Sequence, residues 1–213
     1  MQALERTIID TNWVTVLLVV LLVCVFLLKG LSFERLKGNA LSLINKTFIE
    51  SEIEENYSFV NLFKIVVFIF SMTVISLLMY KFLLFFDVSK EGGFYIFIET
   101  LGVVFSYFSI KRLVEFLLSH LFKINEQLKF FLGSKSNYLN CVSFYVFIAL
   151  VIVEYSPLNT LFLVYISVLF FSIRFVLHLI SNKKLISSKL FYFILYLCSF
   201  EIAPPFILFK LLF

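Results

Sequence analysis

The chain has 213 residues, of which 62% are hydrophobic and 19% aromatic, and 18 Lys and Arg against 14 Asp and Glu give a net charge of +4. A soluble domain of this size could not bury so much apolar surface, so lipid must cover the excess. No long basic run accompanies the positive charge, which is what a positive-inside membrane protein carries, and no nucleic-acid partner is expected.

The apolar runs are continuous, which excludes the alternating strands of a barrel and predicts an all-α, polytopic membrane bundle. About six spans of the length a ~30 Å hydrocarbon core requires can be drawn, together forming a single integral membrane domain over 1–213. The first runs over about 13–28, from Trp13 to Leu28. It is not read as a signal peptide, because Glu5 and Asp10 precede it and no small-x-small cleavage site follows. The segment after it, about 31–56, is amphipathic and ends in the acidic cluster Glu50, Glu52, Glu54 and Glu55. A solvated acidic turn accounts for that cluster, and no metal site is expected there.

The second span falls within 59–86 and the third within about 94–110. From there to 132, Leu117, Leu121, Ile124, Leu128 and Phe131 recur every three or four residues, with Arg112, Glu115, Ser119, Lys123 and Glu126 on the other face. This pattern predicts an amphipathic helix over 111–132 that continues the third span, lies on the bilayer or docks a partner. The fourth span covers about 138–153 and is followed by a turn from Glu154 to Pro157. The fifth covers 159–180, and the last runs over 190–213 with Pro204 and Pro205 near its middle.

Basic residues resist transfer to the outer side, and here fourteen of them (Lys29, Arg35, Lys37, Lys46, Lys64, Lys111, Arg112, Lys123, Lys129, Lys135, Arg174, Lys183, Lys184 and Lys189) fall at alternate gaps, against four elsewhere. The expected location is the inner (cytoplasmic) membrane, with both termini periplasmic. Tyr57, Tyr80, Tyr95, Tyr138 and Tyr155 lie near predicted boundaries, as an aromatic belt would place them.

Catalytic and cofactor signatures are not found: no G-x-S-x-G, no H-E-x-x-H, no paired-Asp phosphotransfer motif. Neither a cofactor nor a catalytic residue is assigned. His120 and His178 are isolated, and Cys24, Cys141 and Cys198 are odd in number with no C-x-x-C, so they read as small buried apolar residues. The candidate functional residues are the ionisable ones inside spans, each of which costs about 2.5 to 3.5 kcal/mol at a helix centre and is expected to face the bundle interior. Glu99 in the third span and Glu201 in the sixth are the clearest, Glu201 lying just before Pro204, where the helix must kink and free its carbonyls. Arg174 and His178 share one face of the fifth span, where Arg112, Glu115 or His120 could meet them.

The stretch Leu195-Tyr196-Leu197-Cys198-Ser199-Phe200-Glu201-Ile202-Ala203-Pro204, followed by Lys210, resembles the C-terminal signature of an uncharacterised inner-membrane family of Bacteroidota, domain of unknown function 4271. The resemblance implies a multi-pass protein without an established activity, with Tyr196, Cys198, Glu201 and Pro204 as the matching motif positions.

Three function classes stay open. The first is a non-enzymatic subunit or assembly factor of a larger envelope complex, of the secretion or motility type, with membrane-protein partners or further copies of itself. The second is a proton- or ion-coupled transporter built from three-plus-three inverted repeats. There Glu99 and Glu201 fall on corresponding helices, F-Y-I-F near the start of one matches F-Y-F-I near the start of the other, and Glu201 is the protonatable group. The third is an intramembrane enzyme of unrecognised type using Glu201 with Arg174 or His178.

Overall fold

A computed structural model describes residues 12–42, 62–86, 93–121, 125–156 and 158–181, and the side chains from 114 to 132 and at 179 and 181 lie outside that description. The described residues form six helices: α1 (Asn12–Leu31), α2 (Phe33–Ala40), α3 (Leu62–Phe85), α4 (Phe94–Leu121), α5 (Asn125–Tyr155) and α6 (Thr160–Ser181). Among the described residues there is no strand, and five helices are long and apolar enough to cross a membrane: all of α1 and α3, Phe94–Leu113 of α4, Gly133–Tyr155 of α5, and Thr160–His178 of α6. The predicted sixth span, 190–213, lies outside the described residues.

The predicted amphipathic helix over 111–132 is divided between two helices. The third span runs on without a break to Leu121, and a second helix starts at Asn125 and continues into the fourth span. A 3.6-residue apolar period does not distinguish one helix from two joined in phase. Of the segment 31–56, residues 33–40 form the short α2. Its start is set at Ser32, whose N–H donates to Leu28 O and whose carbonyl accepts from Leu36 N, both at 3.1 Å. The span ending near Pro157 closes at Tyr155, as the restriction on residues preceding proline requires. Glu154 therefore belongs to the last turn of α5 and not to the connecting turn.

Two helices form the centre. Half of the membrane-spanning window of α3 and of α5 is buried, against 22% for α1, 17% for α4 and 11% for α6. α3 packs against α1, α4, α5 and α6, and α5 against α2, α3, α4 and α6. Between them the midsection is filled by aromatic rings and branched side chains. Phe70 is fully buried, stacks on Phe144 with centroids 4.9 Å apart and meets Phe147 edge-on at 5.5 Å. Val74, Leu77, Val146 and Leu150 continue this core. Since lipid is as apolar as leucine, close packing, more than removal from water, rewards these contacts.

At the end of the bundle away from α2, Trp13 ties α1 to α3 and α4 through Tyr80 at 5.1 Å, Phe97 at 5.2 Å and Phe94 at 5.5 Å. Near it, Lys81 Nζ of α3 donates to Glu154 Oε2 of α5 at 2.6 Å, and both side chains are less than one-fifth exposed. The aromatic belt is only partly as expected. Tyr95 and Tyr155 face outward, but Tyr80 and Tyr138 are buried at 2% and 1% exposure and belong to the core.

Removing one member of a buried ion pair strands the other charge, whereas replacing both by apolar groups does not. Glu154→Gln is therefore expected to destabilise the detergent-solubilised protein by about 1 to 3 kcal/mol, between the values for exposed and fully buried pairs. Lys81→Met with Glu154→Met should recover most of the loss, as read from thermal unfolding of the three variants.

Candidate functional site at the basic end of the bundle

At the opposite end from Lys81 and Glu154, α5 carries a stripe of polar side chains at 134, 135, 137, 138, 140, 141 and 145. Their i, i+3 and i+4 spacing aims them at α2, α3 and α6. Ser134, Lys135 and Tyr138 are buried. Two donors from this stripe converge on one carbonyl at the C-terminus of α2: Cys141 Sγ donates to Ala40 O at 3.1 Å, and Tyr145 Oη donates to it at 3.2 Å. A helix end leaves its last carbonyls without intrahelical donors, and here another helix supplies them. Ser42 Oγ, just past α2, donates to Asn137 O at 3.4 Å, and Ser71 Oγ of α3 donates to Asn140 Oδ1 at 3.1 Å.

On the α6 side, His178 is buried at 6% exposure and meets the Tyr138 ring edge-on, with centroids 6.4 Å apart. Arg174, one turn earlier on α6, is half-buried. Lys135 of α5, His178 of α6 and Asn39 of α2 are buried polar or basic residues toward this end of the bundle. Arg112 stands apart, with its guanidinium 4.8 Å from the centre of the Phe68 ring of α3, a cation–π contact. Lys111 Nζ donates to Tyr107 Oη at 3.3 Å one turn earlier on the same helix. The side chains of Glu115 and His120 lie outside the described residues.

Glu99 departs from the expectation of an inward-facing carboxylate. Phe97, Thr100 and Val104 define the buried face of α4, and the helical 100° step turns Glu99 outward to an exposed position. It lies five residues after Phe94, the first residue of α4. Tyr196, Glu201 and Pro204 lie outside the described residues.

Several residues of the polar layer escape a search for charges. Asn39, Ser71, Asn137, Asn140, Cys141 and Tyr145 are neutral, and only their alignment across α2, α3 and α5 brings them together. Lys81 and Glu154 had a legible signal, opposite charges at the same ends of two spans. Among the described residues no group of three or more His, Cys, Asp or Glu is placed to hold a metal ion. Two shallow, open apolar grooves lie on the bundle surface among the described residues. One lies between α3 and α6, lined by Phe82, Ser167 and Phe171 among others, and one between α1, α3 and α4, lined by Trp13, Thr73 and Phe94 among others.

A protein-family model described as "Domain of unknown function (DUF4271)" matches residues 14–212. No curated protein and no solved structure matches the chain.

The two donors on Ala40 O predict that α2 is held by α5. Cys141→Ala with Tyr145→Phe leaves that carbonyl without either of them, and each hydrogen bond is worth about 0.5 to 1.5 kcal/mol. Backbone amides of residues 33–42 are expected to exchange roughly five- to 150-fold faster in the double variant, by hydrogen-exchange mass spectrometry, while those of α3 keep their rates.

Proposed function

This chain belongs to the DUF4271 family, and from that premise we propose that it is a non-enzymatic, multi-pass inner-membrane protein, a subunit or assembly factor of a larger envelope complex of the secretion or motility type. The observation that carries the reading is the packing of the bundle. The midsection between α3 and α5 is filled mainly with Phe70, Phe144, Phe147, Val74 and Leu77, and the charged groups lie toward its two ends. Such a body suits a rigid scaffold that presents helix faces to neighbours. Apolar faces are plentiful: Val16, Val19, Val20, Val23, Phe26 and Leu27 of α1 and Tyr165, Val168, Leu169 and Val176 of α6 are all exposed. In a bilayer these faces meet lipid or another helix, and small or ridged surfaces let neighbouring helices approach closely.

The basic end is proposed to face the cytoplasm. Lys29, Arg35, Lys37, Arg112, Lys135 and Arg174 gather there, and the rule that basic residues stay inside then puts both termini in the periplasm. The polar layer built on α5 would hold α2 against this face, where a soluble or membrane partner with acidic groups could reach the exposed Arg112.

Cysteine accessibility tests the orientation. In a background lacking the native cysteines, a membrane-impermeant maleimide applied to intact cells should label Lys90→Cys and leave Lys184→Cys unlabelled until the membrane is opened. The opposite pattern would reverse the assignment. Mild-detergent purification at native expression level, followed by mass spectrometry, tests the complex. A defined stoichiometric membrane partner is expected. Protein that comes out alone and shows pH-dependent ion flux lost in Glu201→Gln would replace the scaffold by the transporter reading.

A further inference from the structure

We propose that Arg112 of α4 and Lys64 of α3 bind the phosphate of an anionic phospholipid, whose acyl chain then lies along the exposed face of α4 that carries Phe105. The site goes beyond the complex-subunit reading and does not depend on it, nor on which side of the membrane the basic end faces.

Two ring contacts fix how α3 and α4 lie together. Near one end of the pair Tyr80 meets Phe97 with centroids 6.2 Å apart, and near the other the Arg112 guanidinium lies over the Phe68 ring, 4.8 Å from its centre. The helices are therefore antiparallel, and Arg112 and Lys64 fall at the same end of their spans, Phe94–Leu113 and Leu62–Phe85. Counted at about 1.5 Å per residue from the Tyr80–Phe97 contact, Arg112 is level with Ile65, next to Lys64. Lys64 and Phe68 are one turn apart on one face of α3, so Phe68 has Lys64 one turn away and Arg112 over its ring. Both cations are exposed. Lys111 is set apart on a half-buried flank, where its Nζ donates to Tyr107 Oη at 3.3 Å.

An arginine at the end of a span usually extends its stem toward water. Arg112 is drawn the other way, because Phe68 lies about 4.5 Å further into the span than Ile65. A cation–π contact uses the face of the guanidinium and leaves the N–H donors in its plane. Among the described residues no acceptor meets them. A negatively charged group with several oxygen acceptors satisfies them at this depth, and the planar fork of arginine suits phosphate.

The surrounding surface selects lipid over a soluble anion. Phe105 lies two turns deeper than Arg112 on the same face of α4 and is 51% exposed, and Ile98, two turns further, is 50% exposed. On α3, Ile65 and Ile69 beside the two cations are exposed as well. One leaflet's share of a ~30 Å hydrocarbon core is about 15 Å, and Phe105 lies about 10.5 Å below Arg112, within reach of a single acyl chain. The ligand that fits has an anionic head at one end and an apolar chain below it. Lys64 sharpens the choice of head. A second cation near the phosphate favours a headgroup of net negative charge and opposes one that carries its own ammonium group.

The test uses the full chain in mild detergent and reads lipid adducts by native mass spectrometry during titration with phosphatidylglycerol, or with phosphatidylcholine of the same acyl chains. One phosphatidylglycerol is expected to be retained in preference to phosphatidylcholine. Arg112→Gln should weaken that first adduct about five- to ten-fold, and adding Lys64→Gln should abolish the preference. Both side chains are exposed, so these changes leave the bundle folded. Lys37→Gln removes an exposed charge from α2, which packs on α1 and α5, and should change the affinity less than about two-fold. Excess inorganic phosphate should not displace the lipid. An unchanged adduct in the double variant, an equal loss in Lys37→Gln, equal retention of the two lipids, or displacement by inorganic phosphate would overturn the site.

Discussion

Inside a bilayer no water competes for backbone or side-chain polar groups, and this single constraint organises the molecule. Several buried helix hydroxyls have a protein acceptor close by. Ser76 donates to Met72 O, Thr100 to Ile96 O and Ser143 to Leu139 O, each 2.8 or 2.9 Å away in the preceding turn. Such back-bonding lets a polar residue sit in an apolar helix without a partner from another helix. Ser71 does the opposite and reaches across to Asn140, which links the two central helices at one point.

Apart from that link, the interhelical polar contacts between α3 and α5 and between α2 and α5 lie toward the two ends. Between the ends, α3 and α5 meet through rings and branched chains. At one end Lys81 and Glu154 close the pair, and at the other the stripe on α5 holds α2 by its terminal carbonyl. The midsection is thus held by packing and the ends by polar bonds, an arrangement that restricts sliding of α3 along α5. A rigid pair of this kind leaves α1, α4 and α6 to present outer faces, which supports the scaffold reading.

The two acidic residues singled out as intramembrane candidates part company. Glu99 turns outward near the start of α4. A pairing of Glu99 with Glu201 through inverted repeats therefore draws no support from the face that Glu99 occupies. Glu201 lies outside the described residues.

Continuous apolar runs, with the lengths a bilayer demands, were enough to determine helices, their approximate limits and the all-α class. The clustering of Lys and Arg at alternate gaps marked out the basic end in the same way. The C-terminal stretch resembles a family whose model matches residues 14–212. Those are one-dimensional properties, because hydropathy and charge act on each segment separately. Which face of a helix is buried required the neighbours: Tyr80 and Tyr138 look like belt residues in a linear reading, and packing against Trp13 and His178 makes them core. Glu154 looked like part of a turn until α3 placed Lys81 beside it, and 111–132 looked like one helix although two share it. Tertiary structure decided these points because a helix interior is uniform along its axis, and only contact with another helix breaks that symmetry.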